Sequence, residues 1–324
     1  MYDMHYDLLT ILYFHMINHH KKANKEKLYH DLQKIYQNNI LGGIINLYFM
    51  TPQEMKEELD ISIEEMKDIK RMLEESISCL NKLKNQKILP QTLDFIYSIE
   101  GCDYIENKKQ LEELYSLGLR SILPVWNHEN QYGSGFRTEN GLSEKGRELI
   151  QNALDLGIII DVSHANEKTF FDIIEVYKKN KKETSNIIAS HSNVKTLCDR
   201  KRNLTDEQLI TLKNVKGYIG LFTNGQFITL DNQNIPYSKR QEAFLNHLDY
   251  LIHDIKIDID KIFISTDDMN FNPDSSYHHL EAYPIEDVSQ LLFEQISSKY
   301  DQTVANKILV KNAQNLIHKV KKKI

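Results

Sequence analysis

An α/β protein, a (β/α)8 TIM-type barrel with additional C-terminal helices, is the fold class that the sequence predicts, with residues 1–324 forming one domain. Two observations lead there. Apolar, β-branched runs alternate with charged segments of helical period along almost the whole chain, the pattern of repeated βα units over a parallel sheet, and eight such runs can be counted. At the ends of five of these runs stand ligand-type residues: His5 and Asp7 close the first, Glu100 the third, His164 the fifth, His191 the sixth and Asp267 the eighth. When parallel strands close into a barrel, their C-terminal ends converge on one rim, so residues far apart in sequence can meet.

The strands are expected at residues 1–7, 44–50, 93–100, 121–126, 158–163, 187–190, 218–223 and 262–266. Between them, helical stretches are expected at 52–84, 143–156, 167–179, 205–214 and 238–255. Several carry start signals: Thr51-Pro52 and Ser143-Glu144 place a capping residue before periodic apolar positions, and Thr205 precedes Asp206 and Glu207, acidic residues that suit a first turn. After the eighth strand, the run Asp267-Asp268-Met269-Asn270-Phe271-Asn272-Pro273 leads into helices from about residue 285 to the end, which are expected to pack across the barrel. No short repeat or low-complexity segment occurs, and 6 prolines and 12 glycines leave little material for linkers.

A chain that is 41% hydrophobic and 27% charged can bury a large core. A formal charge of −6 argues against nucleic acid as a partner, and the basic end at Lys319, Lys321, Lys322 and Lys323 reads as a solvated helix terminus. Three widely spaced cysteines, Cys79, Cys102 and Cys198, form no disulfide framework or Cys-x-x-Cys pair, which fits a reducing compartment. The start lacks the features of a secretory leader and no apolar stretch approaches the roughly 20 residues needed to cross a bilayer, so cytoplasmic residence and no membrane partner are expected.

His5 and Asp7, two apart on a strand, point to one side and offer a nitrogen and an oxygen ligand together. His and carboxylate ligands without cysteine suit Zn²⁺, Mn²⁺, Co²⁺ or Fe²⁺, with zinc favoured, and a Glu can bridge two ions through its two oxygens. A single His at a strand end is more often a hydrogen-bonded structural residue. Six such groups meeting at one rim would repel one another or stay desolvated unless protons or cations compensate them, and metal is the economical answer.

The local sequences around these residues resemble the renal or membrane dipeptidase family of zinc peptidases, itself related to the metal-dependent amidohydrolases. The resemblance rests on Asp3-Met4-His5-Tyr6-Asp7-Leu8, Gly42-Gly43, Ser98-Ile99-Glu100-Gly101, the run from Leu114 to Arg120, Gly141-Leu142-Ser143, the run from Gly157 to His164, Ser190-His191-Ser192, Arg202-Asn203 and Ser265-Thr266-Asp267, in that order over nearly the whole chain. It implies two Zn²⁺ per chain, or other divalent metals: His5, Asp7 and Asp267 would bind one, His164 and His191 the second, and Glu100 would bridge them. A bridging water or hydroxide would attack the amide bond of a small dipeptide, with Asp267 as both ligand and general base. Asp268 competes by chemistry, but adjacent strand residues face opposite sides.

By the same resemblance, Arg202 would bind the substrate's terminal carboxylate, a task suited to the planar guanidinium, with Asn203 beside it; without the family pattern, Arg202 reads as a surface arginine in a basic segment. Tyr277, His278 and His279 are candidates for the site mouth. The chain departs from the family after the fourth strand, where a histidine thought to steady the oxyanion is expected: Trp126 stands at its place, and His128 could share its face if the extended chain continues. Trp126 is alternatively a wall against the substrate side chain, or core packing. Cys102 follows the bridging Glu closely and reads as a packing residue rather than a ligand. The resemblance also implies acceptance of a D-residue at the C-terminal side, and a homodimer. A related amidohydrolase acting on another small amide, and a binding protein that kept the fold without catalysis, are the alternatives.

Overall fold

A computed structural model describes residues 1–17, 25–38, 40–49, 67–180, 186–231, 235–267, 282–283 and 287–322. All eight expected strands are present: β1 (Tyr2–Tyr6), β2 (Gly42–Tyr48), β3 (Asp94–Glu100), β4 (Leu119–Leu123), β5 (Ile159–Asp161), β6 (Ile187–Ala189), β7 (Tyr218–Phe222) and β8 (Ile262–Ser265). They form one sheet in sequential order with every pair parallel. The sheet curls into a nearly closed barrel. At the seam, the Asp267 N–H donates to the His5 carbonyl at 3.0 Å, and the buried Asp3 carboxylate accepts from the Thr266 N–H at 3.1 Å and from the Thr266 hydroxyl.

The alternation of side chains explains how one strand serves both a core and a site. On β2 to β8, Ile45, Leu47, Ile99, Ile122, Ile160, Ile187, Ile219 and Ile264 belong to the core beneath the surrounding helices. Their neighbours Ile44, Ile96, Ile159, Ile188, Tyr218 and Phe263 face inward and form an apolar floor together with Tyr2 and Met4 of β1. The inward register of β2 and β1 requires close approach: Gly43 sits at φ +146°, and a Cβ there would lie 1.7 Å from the Asp3 carbonyl oxygen.

The helices follow the expected alternation. In chain order they are α1 (Leu8–Ile11), α2 (Lys25–Asn38), α3 (Ile69–Asn85), α4 (Lys108–Ser116), α5 (Glu144–Leu156), α6 (Glu167–Asn180), α7 (Asp206–Asn214), α8 (Tyr237–Asp249), α9 (Val288–Lys299), α10 (Gln302–Asn306) and α11 (Asn312–Lys321). Ser143 caps α5 by accepting from the Gly146 N–H, and Thr205 with Gln208 makes a reciprocal capping box on α7. The expected helix at 52–84 is seen from Ile69 onward, the earlier part lying outside the described residues. The chain after β1 forms α1, a wider π-type turn at Leu12–Ile17 and α2, and α4 follows β3; these stand beside the helical stretches named from the sequence.

The C-terminal helices do pack across the barrel, at its floor. Ala313, Leu316, Ile317 and Val320 of α11 join the inward residues of the strands in one apolar cluster. Burying each large side chain there contributes roughly 1.5–3 kcal/mol. The helix end is tied by Lys321 and His318, both in ion-pair contact with Asp94 at the start of β3. No helix among the described residues is long and apolar enough to cross a membrane.

Candidate metal centre

The opposite end of the barrel gathers the six ligand-type residues. His5 is the fourth residue of β1 and Asp7 follows its end; Glu100 ends β3. Gly101 then adopts φ +81°, and its N–H donates to the Leu123 carbonyl at 3.0 Å, so the chain leaves the strand immediately and Glu100 stays at the rim. His164, His191 and Asp267 lie just beyond β5, β6 and β8. His5, Asp7, Glu100, His164 and His191 are buried, while Asp267 keeps 25% of its side chain exposed.

Glu100 is the centre of the arrangement. Its Oε2 lies 3.0 Å from His5 Nε2 and its Oε1 lies 2.9 Å from His164 Nε2, so each carboxylate oxygen faces a different histidine. On one side, His5 Nε2 is 3.9 Å from Asp7 Oδ1 and 3.7 Å from Asp267 Oδ1. On the other, His164 Nε2 and His191 Nε2 approach to 2.9 Å. The triads His5–Asp7–Asp267 and His5–Glu100–His191 each bring their donor atoms within 4.8 Å of one another.

The electrostatics of the cluster favour a cation. Burial, then the neighbouring Asp161, pushes the Glu100 carboxyl up to about 8; burial, then Glu100, pushes Asp7 up to about 8. Burial raises Asp267 well above the usual carboxylate range and holds His164 and His191 well below the usual imidazole range. Asp7 Oδ1 is buried with no hydrogen-bond partner among the described residues. Carboxylates and neutral imidazoles crowded this closely, with an orphaned oxygen among them, fit a divalent cation.

A set of contacts beneath the ligands escaped the sequence reading. Asn127 Oδ1 lies 2.9 Å from His164 Nδ1. The Ser190 hydroxyl lies 3.0 Å from His5 Nδ1 and 2.8 Å from His191 Nδ1. Asp161 accepts from the backbone N–H groups of Ser163 and Ser190 at 3.0 Å each and from the Ser163 hydroxyl at 2.6 Å. Such partners fix the orientation of metal-binding histidines. A signal was available: Asp161 and Ser163 precede His164 by three residues and one, and Ser190 directly precedes His191.

The oxyanion candidates divide. Beyond Leu123 the chain bends, so the extended alternation that would have put His128 on the face of Trp126 does not continue. Trp126 packs against Tyr48 at 5.1 Å and lies 6.1 Å from the His164 ring, whereas His128 Nε2 meets the Arg137 guanidinium at 3.2 Å. Asn127, between them, is the residue that faces His164.

Arg202 is buried rather than on the surface. Its guanidinium donates to the Ser163 carbonyl, to the His191 carbonyl at 3.2 Å and to the Ser192 hydroxyl at 3.3 Å, clamping the turns that carry His164 and His191. Burial lowers its pKa to about 10. The Asn203 amide N–H₂ donates to the carbonyls of Cys198 and Phe227 at 2.9 Å each. Asp267 has φ +49°, outside the strand region, so simple strand alternation is not what orients it; Asp268, Tyr277, His278 and His279 lie outside the described residues. Cys102 is a buried thiol donating to the Leu123 carbonyl and stands outside the ligand set, in keeping with its packing role.

Residues 1–323 match the model of the membrane dipeptidase family, peptidase family M19. A protein of the pqqA 5′ region of Klebsiella pneumoniae is 31% identical over 231 residues, 68% of this chain and 80% of that one. Among solved structures, a metallopeptidase from Rhodobacter sphaeroides liganded with a phosphinate mimic of the dipeptide L-Ala-D-Ala has a TM-score of 0.71 at 21% identity over 98% of both chains. The dipeptidase AC, a family M19 metallopeptidase, has a TM-score of 0.69 at 22% identity, over 98% of this chain and 97% of its own. With its parallel barrel and its cluster of metal-ligand residues, this chain belongs to the membrane dipeptidase family, peptidase family M19, and is a metal-dependent dipeptidase of that family.

Proposed function

We propose that this protein is a dinuclear zinc dipeptidase, held in one barrel domain and resident in the cytoplasm, that hydrolyses the single amide bond of small dipeptides, including those with a C-terminal D-residue. The observation that carries the reading is the split engagement of Glu100, whose two oxygens face His5 at 3.0 Å and His164 at 2.9 Å. A carboxylate so placed suits a bridge, with His5, Asp7 and Asp267 on one side and His164 and His191 on the other. When bound, the metals supply Lewis-acid chemistry, lowering the pKa of a water nucleophile and polarising the scissile carbonyl.

The remaining work falls to the side chains. Asp267 is the member of the ligand set with solvent access, at 25% side-chain exposure, so it is suited to exchange protons with a substrate in the mouth. A carboxylate so placed can take a proton from the nucleophile and return it to the leaving amine. Asn127 and Ser190 hold the histidines in place. Arg202 supplies positive charge beside the cluster, where a substrate's terminal carboxylate would be drawn, and Trp126 stands beside His164 as a wall for a side chain. The D-residue preference draws support from the L-Ala-D-Ala mimic bound by the Rhodobacter relative.

The test is turnover of a dipeptide panel, including L-Ala-D-Ala and L-Ala-L-Ala, by zinc-loaded protein and by its Asp267→Asn variant. Hydrolysis is expected in the parent, with kcat lower by on the order of 10²–10⁴ in the variant. No turnover of any dipeptide at two equivalents of bound metal would sink the reading.

A further inference from the structure

Midway along the barrel interior, between the apolar floor and the ligand cluster, three polar side chains take no part in either. Asn46 of β2, Ser98 of β3 and Ser121 of β4 are laterally paired, Asn46 with Ser98 and Ser98 with Ser121. Two residues before Asn46 and Ser98 stand Ile44 and Ile96 of the floor, and two residues after Ser98 stands Glu100, so this row faces the interior. All three residues are 0% exposed. Asn46 Nδ2, Asn46 Oδ1, Ser98 Oγ and Ser121 Oγ nevertheless have no hydrogen-bond partner among the described residues.

The other half of the same layer is satisfied. Asp161 on β5 accepts three hydrogen bonds, Ser190 contacts two histidines, and the Ser265 hydroxyl at the end of β8 donates to the Ser190 carbonyl. At Gly220 of β7 a Cβ would lie 1.7 Å from the Ser190 carbonyl oxygen, so backbone itself fills that side. Within this layer, among the described residues, the unpartnered side-chain atoms lie on β2, β3 and β4.

Each buried polar group left unsatisfied costs about 1–3 kcal/mol, and four in one row would be a heavy load for a single layer. Strands in a sheet run about 4.8 Å apart. That spacing is too long for one hydroxyl to bond directly to its lateral neighbour, yet it suits a single oxygen placed about 2.8 Å from each. The group that fits must both donate and accept, because the Asn46 amide offers both and the two hydroxyls do either. We propose that Asn46, Ser98 and Ser121 form an internal water-binding site, a small ordered cluster that separates the metal centre from the apolar floor. Water suits the row better than a cation, since the Asn46 amide brings donors that a cation could not accept from and no carboxylate belongs to the row. The site is independent of the metals and substrate assigned above.

Oxygen-17 magnetic relaxation dispersion on the zinc-loaded full chain counts long-lived internal waters. Relative to the parent, Asn46→Leu and the double variant Ser98→Ala/Ser121→Ala are each expected to lose at least one such water while keeping the parent's circular dichroism. An unchanged count in folded variants would overturn the proposal. Should Asn46→Leu fail to fold, the double serine variant decides alone, because it removes two oxygens with little change in shape. An anomalous peak beside Ser98 Oγ in crystals grown with thallium salts would also overturn it, in favour of a monovalent cation.

Discussion

At the floor of the barrel, Ile44, Ile96, Ile159, Ile188 and Phe263 meet Leu316 and Ile317 of α11 in a fully apolar contact. At the rim, the same strands end in Glu100, Asp161 and the turns bearing His164, His191 and Asp267. Along β3 the change takes five residues, from Ile96 through Ser98 to Glu100. The floor gains free energy by burial, whereas the rim spends it, holding Asp7 and Glu100 up to about 8 by desolvation. One end of each strand therefore stabilises the fold, and the other uses that stability to hold groups in states water would not favour.

Three measurements would break or sharpen that contrast. The largest effect is expected from Leu316→Ala, which opens the floor and should cost about 2–5 kcal/mol in chemical denaturation, with dipeptide turnover at low temperature close to the parent's. A parallel loss of turnover would show that floor and rim are not separable. Next, Asn127→Ala removes the oxygen that faces His164 Nδ1 at 2.9 Å and should weaken metal affinity about 10–100-fold by competition titration, with little change in the denaturation midpoint of chelated protein.

The smallest effect is in the pH dependence of the chelated protein. Asp7 and Glu100, raised by burial from 3.8 and 4.5 to about 8, bind protons in the folded chain that the unfolded chain has released. Stability should therefore rise as pH falls from about 8 to about 6.5, by roughly a few degrees in Tm. Below that, the gain levels off, because the protons held by Asp7 and Glu100 are offset by those the unfolded chain takes up on two histidines. His164 and His191 are held neutral by burial, below their ordinary value of 6.5, so the unfolded chain takes up protons first. Leu316→Ala should show the same profile displaced downward, since Leu316 and the isoleucines it meets carry no titrating group; a change of shape would count against the division.

All eight strands were legible because two-sided burial in a parallel sheet writes itself as continuous apolar runs. The six ligand residues were legible because strand ends share a rim. Helices α1, α2 and α4 were not, since their apolar positions are short or interrupted, as in Lys108–Ser116, where the buried residues are Leu111 and Leu114. Asn127 was missed for a different reason, since its partner His164 lies on another turn of the rim; Asp161 and Ser190 also reach across, to Ser190 and His5, although their nearness in sequence to His164 and His191 was a signal. His128 was set on the same face as Trp126 by an extended continuation that the chain abandons after Leu123.

The position of Ser190 has one more consequence. Its oxygen is touched by Nδ1 of both His5 and His191, at 3.0 and 2.8 Å, and a hydroxyl has two lone pairs but a single hydrogen. For both rings to turn a bare Nε2 toward the centre, each must carry its proton on Nδ1 and donate it to Ser190, which sends its own hydrogen to Ser163 at 3.4 Å, whose hydrogen in turn goes to Asp161. The tautomers of two histidines on opposite sides of Glu100 are thereby locked to one choice, set by a buried carboxylate that never meets the metal side of either ring.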